Sequence, residues 1–161
     1  MGTWADFFVA ELGAAAALTG LVIVGISINV SRILSDPALP GGAVETLVPP
    51  TGLLIVSTFA LVPSQPNWLL GSELVFTGAV MSLVPALIQI RAAKARGEGI
   101  GPVGGLPRIL LAILSSWPFI LCGVLVFRGT DGGLYWIVPG TVAALIATVI
   151  NAWVLLIEIL R

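Results

Sequence analysis

Four short breaks rich in proline and glycine cut this chain into five apolar stretches, each long enough to cross a bilayer as a helix. The hydrocarbon core takes about 20 apolar residues in helical form. The stretches run over residues 7–33, 43–62, 68–90, 106–127 and 134–160. The breaks, at 35–42, 63–67, 91–105 and 129–133, concentrate residues that lack a backbone N–H or interrupt a helix cheaply. In lipid, backbone polar groups have to be satisfied within the fold, which helices of this length achieve alone. Only 9% of the residues are charged, against about 25% in a soluble domain. The sequence therefore predicts an all-α integral membrane bundle of five transmembrane helices, a single domain over residues 1–161.

Composition removes several function classes. A net charge of −1 carries no nucleic-acid footprint. Histidine is absent, and the one cysteine, Cys122, falls inside the fourth span as a small core residue. The commonest metal ligand and general base are thus missing. Neither enzyme activity nor a metal or other cofactor is expected. Residues 1–8 hold Asp6 and no Lys or Arg, so the first stretch reads as a span rather than a signal peptide.

Orientation follows from the basic residues. An outside N-terminus puts Arg32, Arg91, Lys94, Arg96, Arg108 and Arg161 on the cytoplasmic side and only Arg128 outside. Trp4, Trp68 and Trp136 then fall at the outer interface, where indole rings are favoured. The expected location is a bacterial inner membrane, with the C-terminus cytoplasmic. Arg91, Lys94, Arg96 and Arg108 set that topology and are candidates for binding anionic lipid head groups.

Two glutamates, Glu11 and Glu73, stand at about the same depth inside their spans. Glu11 and Glu73 both lie about 6–10 Å below the outer interface at 1.5 Å per residue. A carboxylate at mid-membrane costs about 3 kcal/mol, less nearer the surface. Matched depth predicts a shared polar site that binds a cation or shares a proton. The alternative is a structural ion pair of either glutamate with Arg128. At 100° per residue, Glu11, Ala15, Val22, Gly25 and Asn29 form one stripe along the first span. Gly13, Ala17, Gly20 and Ser27 lie opposite, where small residues let helices approach closely. In the third span Glu73 and Thr77 share one face, and Gly78 and Ser82 lie on the other. The first and third spans are therefore expected inside the bundle. The fifth, with one polar sector of Thr141, Ala144, Thr148 and Asn151, is expected at its periphery. Asn29 and Asn151 are expected to hydrogen-bond across helices.

Proline shapes two other spans. Pro49 and Pro50 sit early in the second, which is either a kinked full crossing, the favoured form, or partly re-entrant. In the fourth, Ser115-Ser116-Trp117-Pro118 predicts a kink, serines serving the freed carbonyl, and an inward Trp117.

Two functions fit. One is a homo-oligomeric channel or transporter for a cation or small solute, its pore between subunits. Glu11, Glu73, Asn29, Thr77 and Arg128 would line the pathway, and Gly13, Ala17, Gly20, Ser27, Gly78 and Ser82 would form the packing or oligomer face. The other is a non-transporting regulatory or scaffold subunit of a membrane complex.

The start Trp4-Ala5-Asp6-Phe7-Phe8, with the Ala-rich run Ala14 to Val22 behind Glu11, resembles small bacterial inner-membrane proteins with an "AALTGL" first helix. Some of those are labelled modulators of the membrane protease FtsH. The resemblance covers about a fifth of the chain, assigns no residue a role, and implies the regulatory reading.

Overall fold

Each apolar stretch folds as a helix, and the prolines and glycines fall where helices stop or touch. The computed structural model describes residues 3–36, 39–96, 105–130 and 132–160. Of residues 3, 95, 96, 105 and 158–160 only the backbone is described. The side chain of Arg96, most of the glycine-rich part of the third break, and Arg161 thus lie outside the described residues. The helices are α1 (Thr3–Ile28), α2 (Val30–Ser35), α3 (Leu39–Ala60), α4 (Asn67–Arg96), α5 (Gly105–Phe127) and α6 (Ile137–Leu160), with a 3-10 turn at Gly133–Trp136. Five of them are long and apolar enough to cross a membrane.

Helices α3, α4, α5 and α6 form a four-helix bundle in which each packs on the next and α6 closes on α3. Phe119, Leu53, Leu74, Ile137 and Val56 are its largest wholly buried apolar side chains. Helix α1 lies outside this ring and packs chiefly on α3. Successive spans alternate in direction. Trp4, Trp68 and Trp136 mark one end of the bundle, here the tryptophan end, and Arg91, Lys94 and Arg108 mark the other, the arginine end.

The expected placement of spans is corrected in two respects. Helix α1 is the peripheral span: 17% of its most apolar stretch is buried, against 33% for α6 and 50% for α3. Away from the face that carries Phe8, Glu11, Ala15 and Val22 its residues are mostly apolar, so lipid can cover the rest. Helix α3 is instead the central span and is long enough to cross in full, with Pro49 and Pro50 inside one continuous helix. It begins at Leu39, one turn earlier than hydropathy indicates, which lengthens the part of the helix before the prolines. The first stretch is also not one rod. Its helix breaks at Asn29 (φ −103°, ψ 11°), and α2 follows as a separate short helix.

The closest helix pair is α4 with α5. A Cβ on Gly71 would stand 2.6 Å from the Gly123 carbonyl oxygen, and one on Gly123 would stand 2.6 Å from the Gly71 carbonyl oxygen. The two backbones touch, and only glycine fits on either side. Further along, Gly78 lies against Ile120 and the Ser116 carbonyl. Ser82 and Ser116 join their hydroxyls across the same interface. Both residues of the expected packing face on the third span thus meet α5 of the same chain. The first-span set does not: Gly13, Ala17, Gly20 and Ser27 are exposed, and nothing lies within 4 Å of a Cβ built on Gly13 or Gly20.

Helix α5 ends in a paired reverse-turn cap. The Gly129 N–H donates to the Val126 carbonyl (2.9 Å) and the Thr130 N–H to that of Leu125 (3.0 Å), with Gly129 at φ 68°. That left-handed residue favours glycine. The turn brings Trp136 against Trp117, ring centroids 5.6 Å apart. Trp117 therefore faces outward, 40% exposed, and not into the core as expected. The expected role of the serines changes as well. Ser115 and Ser116 donate to the Ala112 carbonyl at 3.0 and 2.6 Å, not to that of Leu114, which Pro118 deprives of its donor. Cys122 is fully buried, as expected of a core residue.

Candidate functional site

Buried polar side chains gather in two clusters, one toward each end of the bundle. At the arginine end, four helices each contribute a residue. Glu45 enters from α3, only 4% exposed. Gln89 of α4 donates from Nε2 to Glu45 Oε1 at 2.5 Å. Arg108 of α5 sets Nη1 3.9 Å from Glu45 Oε2. Asn151 of α6 lines the same space. The local sequence explains the convergence. Glu45 opens the stretch before Pro49, while Pro85 of α4 and Ala112 of α5 leave room opposite it. A cavity of about 10 Å³ lies among Glu45, Pro49, Met81, Pro85, Arg108, Ala112, Ser115, Ala147 and Asn151. A second of about 10 Å³, bordered by Gly42, Thr46, Val154 and Leu155, also touches Glu45, Arg108 and Asn151.

At the tryptophan end the principal residue is Glu11, 7% exposed. Phe8, Glu11 and Ala15 form the part of α1 that faces the bundle, held by packing of Trp4 on Phe7, Phe8 and Tyr135. Thr141 is the polar side chain that α6 turns toward the carboxylate. Its hydroxyl donates to the Ile137 carbonyl at 3.0 Å instead. Among the described residues, no hydrogen bond of ordinary geometry reaches the carboxylate oxygens of Glu11, toward which the Thr141 hydroxyl is turned, or the hydroxyl of Ser57, buried on α3. A buried polar group without a partner costs free energy, and a charged one costs most.

Between the clusters, α3 carries Leu53 and Val56 and α6 carries Ala144 and Ala147, all buried. Thr148, Ser115 and Ser116 interrupt this apolar layer with hydroxyls. The polar sector on the last span thus faces inward, with Thr141 and Thr148 buried and Asn151 half-buried.

Other expected site residues separate. Glu73 is half-buried and takes a hydrogen bond from Gln65, in the break before α4. Glu11 and Glu73 match in depth but do not pair, because α1 packs chiefly on α3 and α4 on α5. Arg128 is exposed, and among the described residues it forms no ion pair with either glutamate. Thr77 is buried and donates to the Glu73 carbonyl at 2.8 Å. Asn29 uses its amide on the Gly25 carbonyl at 2.9 Å, so the expected bond to Asn151 is not made. The stripe on α1 faces the bundle only over Glu11, Ala15 and Val22; Gly25 is exposed. Of the basic head-group candidates, Arg91 and Lys94 are exposed while Arg108 points inward to Glu45.

Glu45 is the site residue that sequence reasoning missed. A signal was present: Glu45 and Arg108 each lie about two residues inside the expected start of their spans, at the same end, with opposite charge. No group of three or more metal-ligating side chains occurs among the described residues. No protein-family model, no curated protein and no solved structure matches this chain.

Proposed function

We propose that this chain carries a cation across a bacterial inner membrane, along a polar column that starts where α1 packs on the four-helix bundle and continues through the bundle to Glu45. The observation that carries this reading is Glu11, buried on the bundle-facing side of α1 with neither carboxylate oxygen in a hydrogen bond of ordinary geometry among the described residues. An intramembrane carboxylate in that state calls for a positive charge, supplied by a proton or a cation. Glu45 offers the second carboxylate at the far end. The column lies within one subunit rather than on an axis between copies. Its apolar middle layer, Leu53, Val56 and Ala144, keeps it closed at rest.

The tryptophan end faces outward in this proposal, with Arg91, Lys94 and Arg108 cytoplasmic. A cysteine replacing the exposed Asn67 is then expected to react with a membrane-impermeant maleimide in intact cells, and one replacing Lys94 only after lysis. Native Cys122, wholly buried, does not contribute to the signal. Labelling in the reverse pattern would invert the topology.

Passage is tested by flux into proteoliposomes under an imposed potential. Glu11→Gln is expected to reduce cation flux at least tenfold while the protein keeps its melting temperature. Equal flux from the variant would remove Glu11 from the pathway. A second reading, a regulatory subunit, rests on one observation: among the described residues nothing packs on Gly13, Gly20 and Gly25 of α1, as on a helix that awaits a partner.

A further inference from the structure

A groove of about 460 Å³ runs along the outside of the bundle between α3 and α4. Its walls are mostly apolar, with Val48 and Ile55 on α3 facing Phe76 and Val80 on α4. It follows α3 from Val44 to Phe59, about 22 Å at 1.5 Å per residue. Gly52 forms part of its floor: a Cβ there would overlap the Met81 sulfur, so Met81 lies against the α3 backbone. Helix α1 packs elsewhere on α3, with Glu11 near Thr141 of α6, and leaves this side open. A helix about 10 Å across and of the groove's length would take up roughly 1,700 Å³, nearly four times the space present. It would rest on the rim at Phe76, 69% exposed, and leave the groove unfilled. A hydrocarbon chain can lie within it.

Charge marks one end of the groove. On α4 the exposed stripe Phe76, Val80 and Leu87 continues into Arg91 and Lys94, all within about 40° of Val80 at 100° per residue. Gly41 of α3 stands level with Ile88 of α4. The Val44 end of the groove therefore opens about 9 Å short of Arg91 along the helix axis. Arg91 follows Asn67 by about 36 Å of helix, more than the hydrocarbon core of about 30 Å, so its guanidinium lies among the head groups. Arg91 and Lys94 are both exposed, and among the described residues neither forms an ion pair.

We propose that this groove, together with Arg91 and Lys94, is a binding site for one anionic phospholipid of the surrounding bilayer. An acyl chain lies between α3 and α4, and the phosphate-bearing head group sits on the two cations at the arginine end. The site is independent of the cation pathway. The groove holds the chain but does not select the lipid, since any phospholipid with the same chains fills it equally. The cations select, because each basic residue near an anionic lipid surface is worth about fivefold in affinity. A zwitterionic head group brings its own cation and gains less.

The test titrates the full chain, stripped of lipid in detergent, with phosphatidylglycerol or with phosphatidylcholine of the same chains, and counts bound lipid by native mass spectrometry. The expected result is one phosphatidylglycerol held at least fivefold more tightly than phosphatidylcholine. Arg91→Gln/Lys94→Gln is expected to bring the two affinities within twofold of each other. Thr51→Trp puts a bulky side chain into the groove from an exposed position and is expected to weaken both lipids at least fivefold. Val44→Phe, which narrows the mouth from a position 47% exposed, makes the same test if the tryptophan variant does not fold. Equal affinity of the wild-type protein for the two lipids would overturn the proposal. So would a preference for phosphatidylglycerol that survives filling of the groove, since the head group alone would then account for it. A dimer that forms without lipid and is undone by Thr51→Trp would give the groove to a second copy and overturn the proposal as well.

Discussion

Gly123→Ala is expected to destabilise the bundle by about 2–3 kcal/mol, a large loss for the addition of one methyl group. The new Cβ would stand 2.6 Å from the Gly71 carbonyl oxygen and 2.7 Å from the Val75 N. These are backbone atoms, so no rotamer change relieves the overlap and the two helices have to move apart. Overpacking of this kind typically costs about 1–3 kcal/mol. Separation would also break the Ser82–Ser116 contact further along the same interface. Gly20→Ala supplies the contrast. Nothing lies within 4 Å of that Cβ, and alanine is the better helix former by about 1 kcal/mol. It is expected to be neutral or slightly stabilising. Thermal unfolding in detergent micelles checks both. A Gly123→Ala protein as stable as wild type would contradict the packing of α4 on α5. If the chain purifies with a partner, Gly20→Leu is the variant expected to release it without unfolding the bundle.

The second large effect is expected from Arg108→Ala. Removing one partner of a buried ion pair leaves the other charge uncompensated, at about 3–5 kcal/mol. The Arg108 side chain is 29% exposed and its partner 4%, so solvent screening reduces the expected loss to roughly 2 kcal/mol. Glu45→Gln/Arg108→Gln removes both charges together and is expected to be more stable than Arg108→Ala alone. A double-mutant cycle on melting temperature reads this coupling. Purely additive losses would mean that the two residues do not support each other.

The sequence carries the span count, the breaks and the helical class, because a run of apolar residues fixes both solvent and secondary structure at once. Depth along a span is legible too: Glu11 and Glu73 are at matched depth, and so are Glu45 and Arg108. Azimuth is not legible. Which glutamate meets which partner depends on how helices are arranged around one another, and that arrangement is set by contacts such as Gly71 on Gly123. Glu11 and Glu73 therefore part company, while Glu45 collects Gln89, Arg108 and Asn151. The place of α1 failed for a related reason. Small residues at close spacing permit tight packing without saying which helix uses it. Gly78 and Ser82 meet α5, whereas Gly13 and Gly20 meet nothing among the described residues. Span α3 was undervalued because two prolines lower its apparent helical strength. Proline in a membrane helix is tolerated when neighbouring elements satisfy the freed carbonyls, and α3, the most buried span, has neighbours on several sides.

The central claim is that one chain contains the whole pathway. It is tested by reconstituting the wild-type protein at decreasing copies per vesicle and counting the fraction of vesicles that take up cations. A single-chain pathway predicts that this fraction follows the fraction of vesicles holding at least one copy. Activity that falls with the square or a higher power of the copy number would place the pathway between subunits and contradict the account.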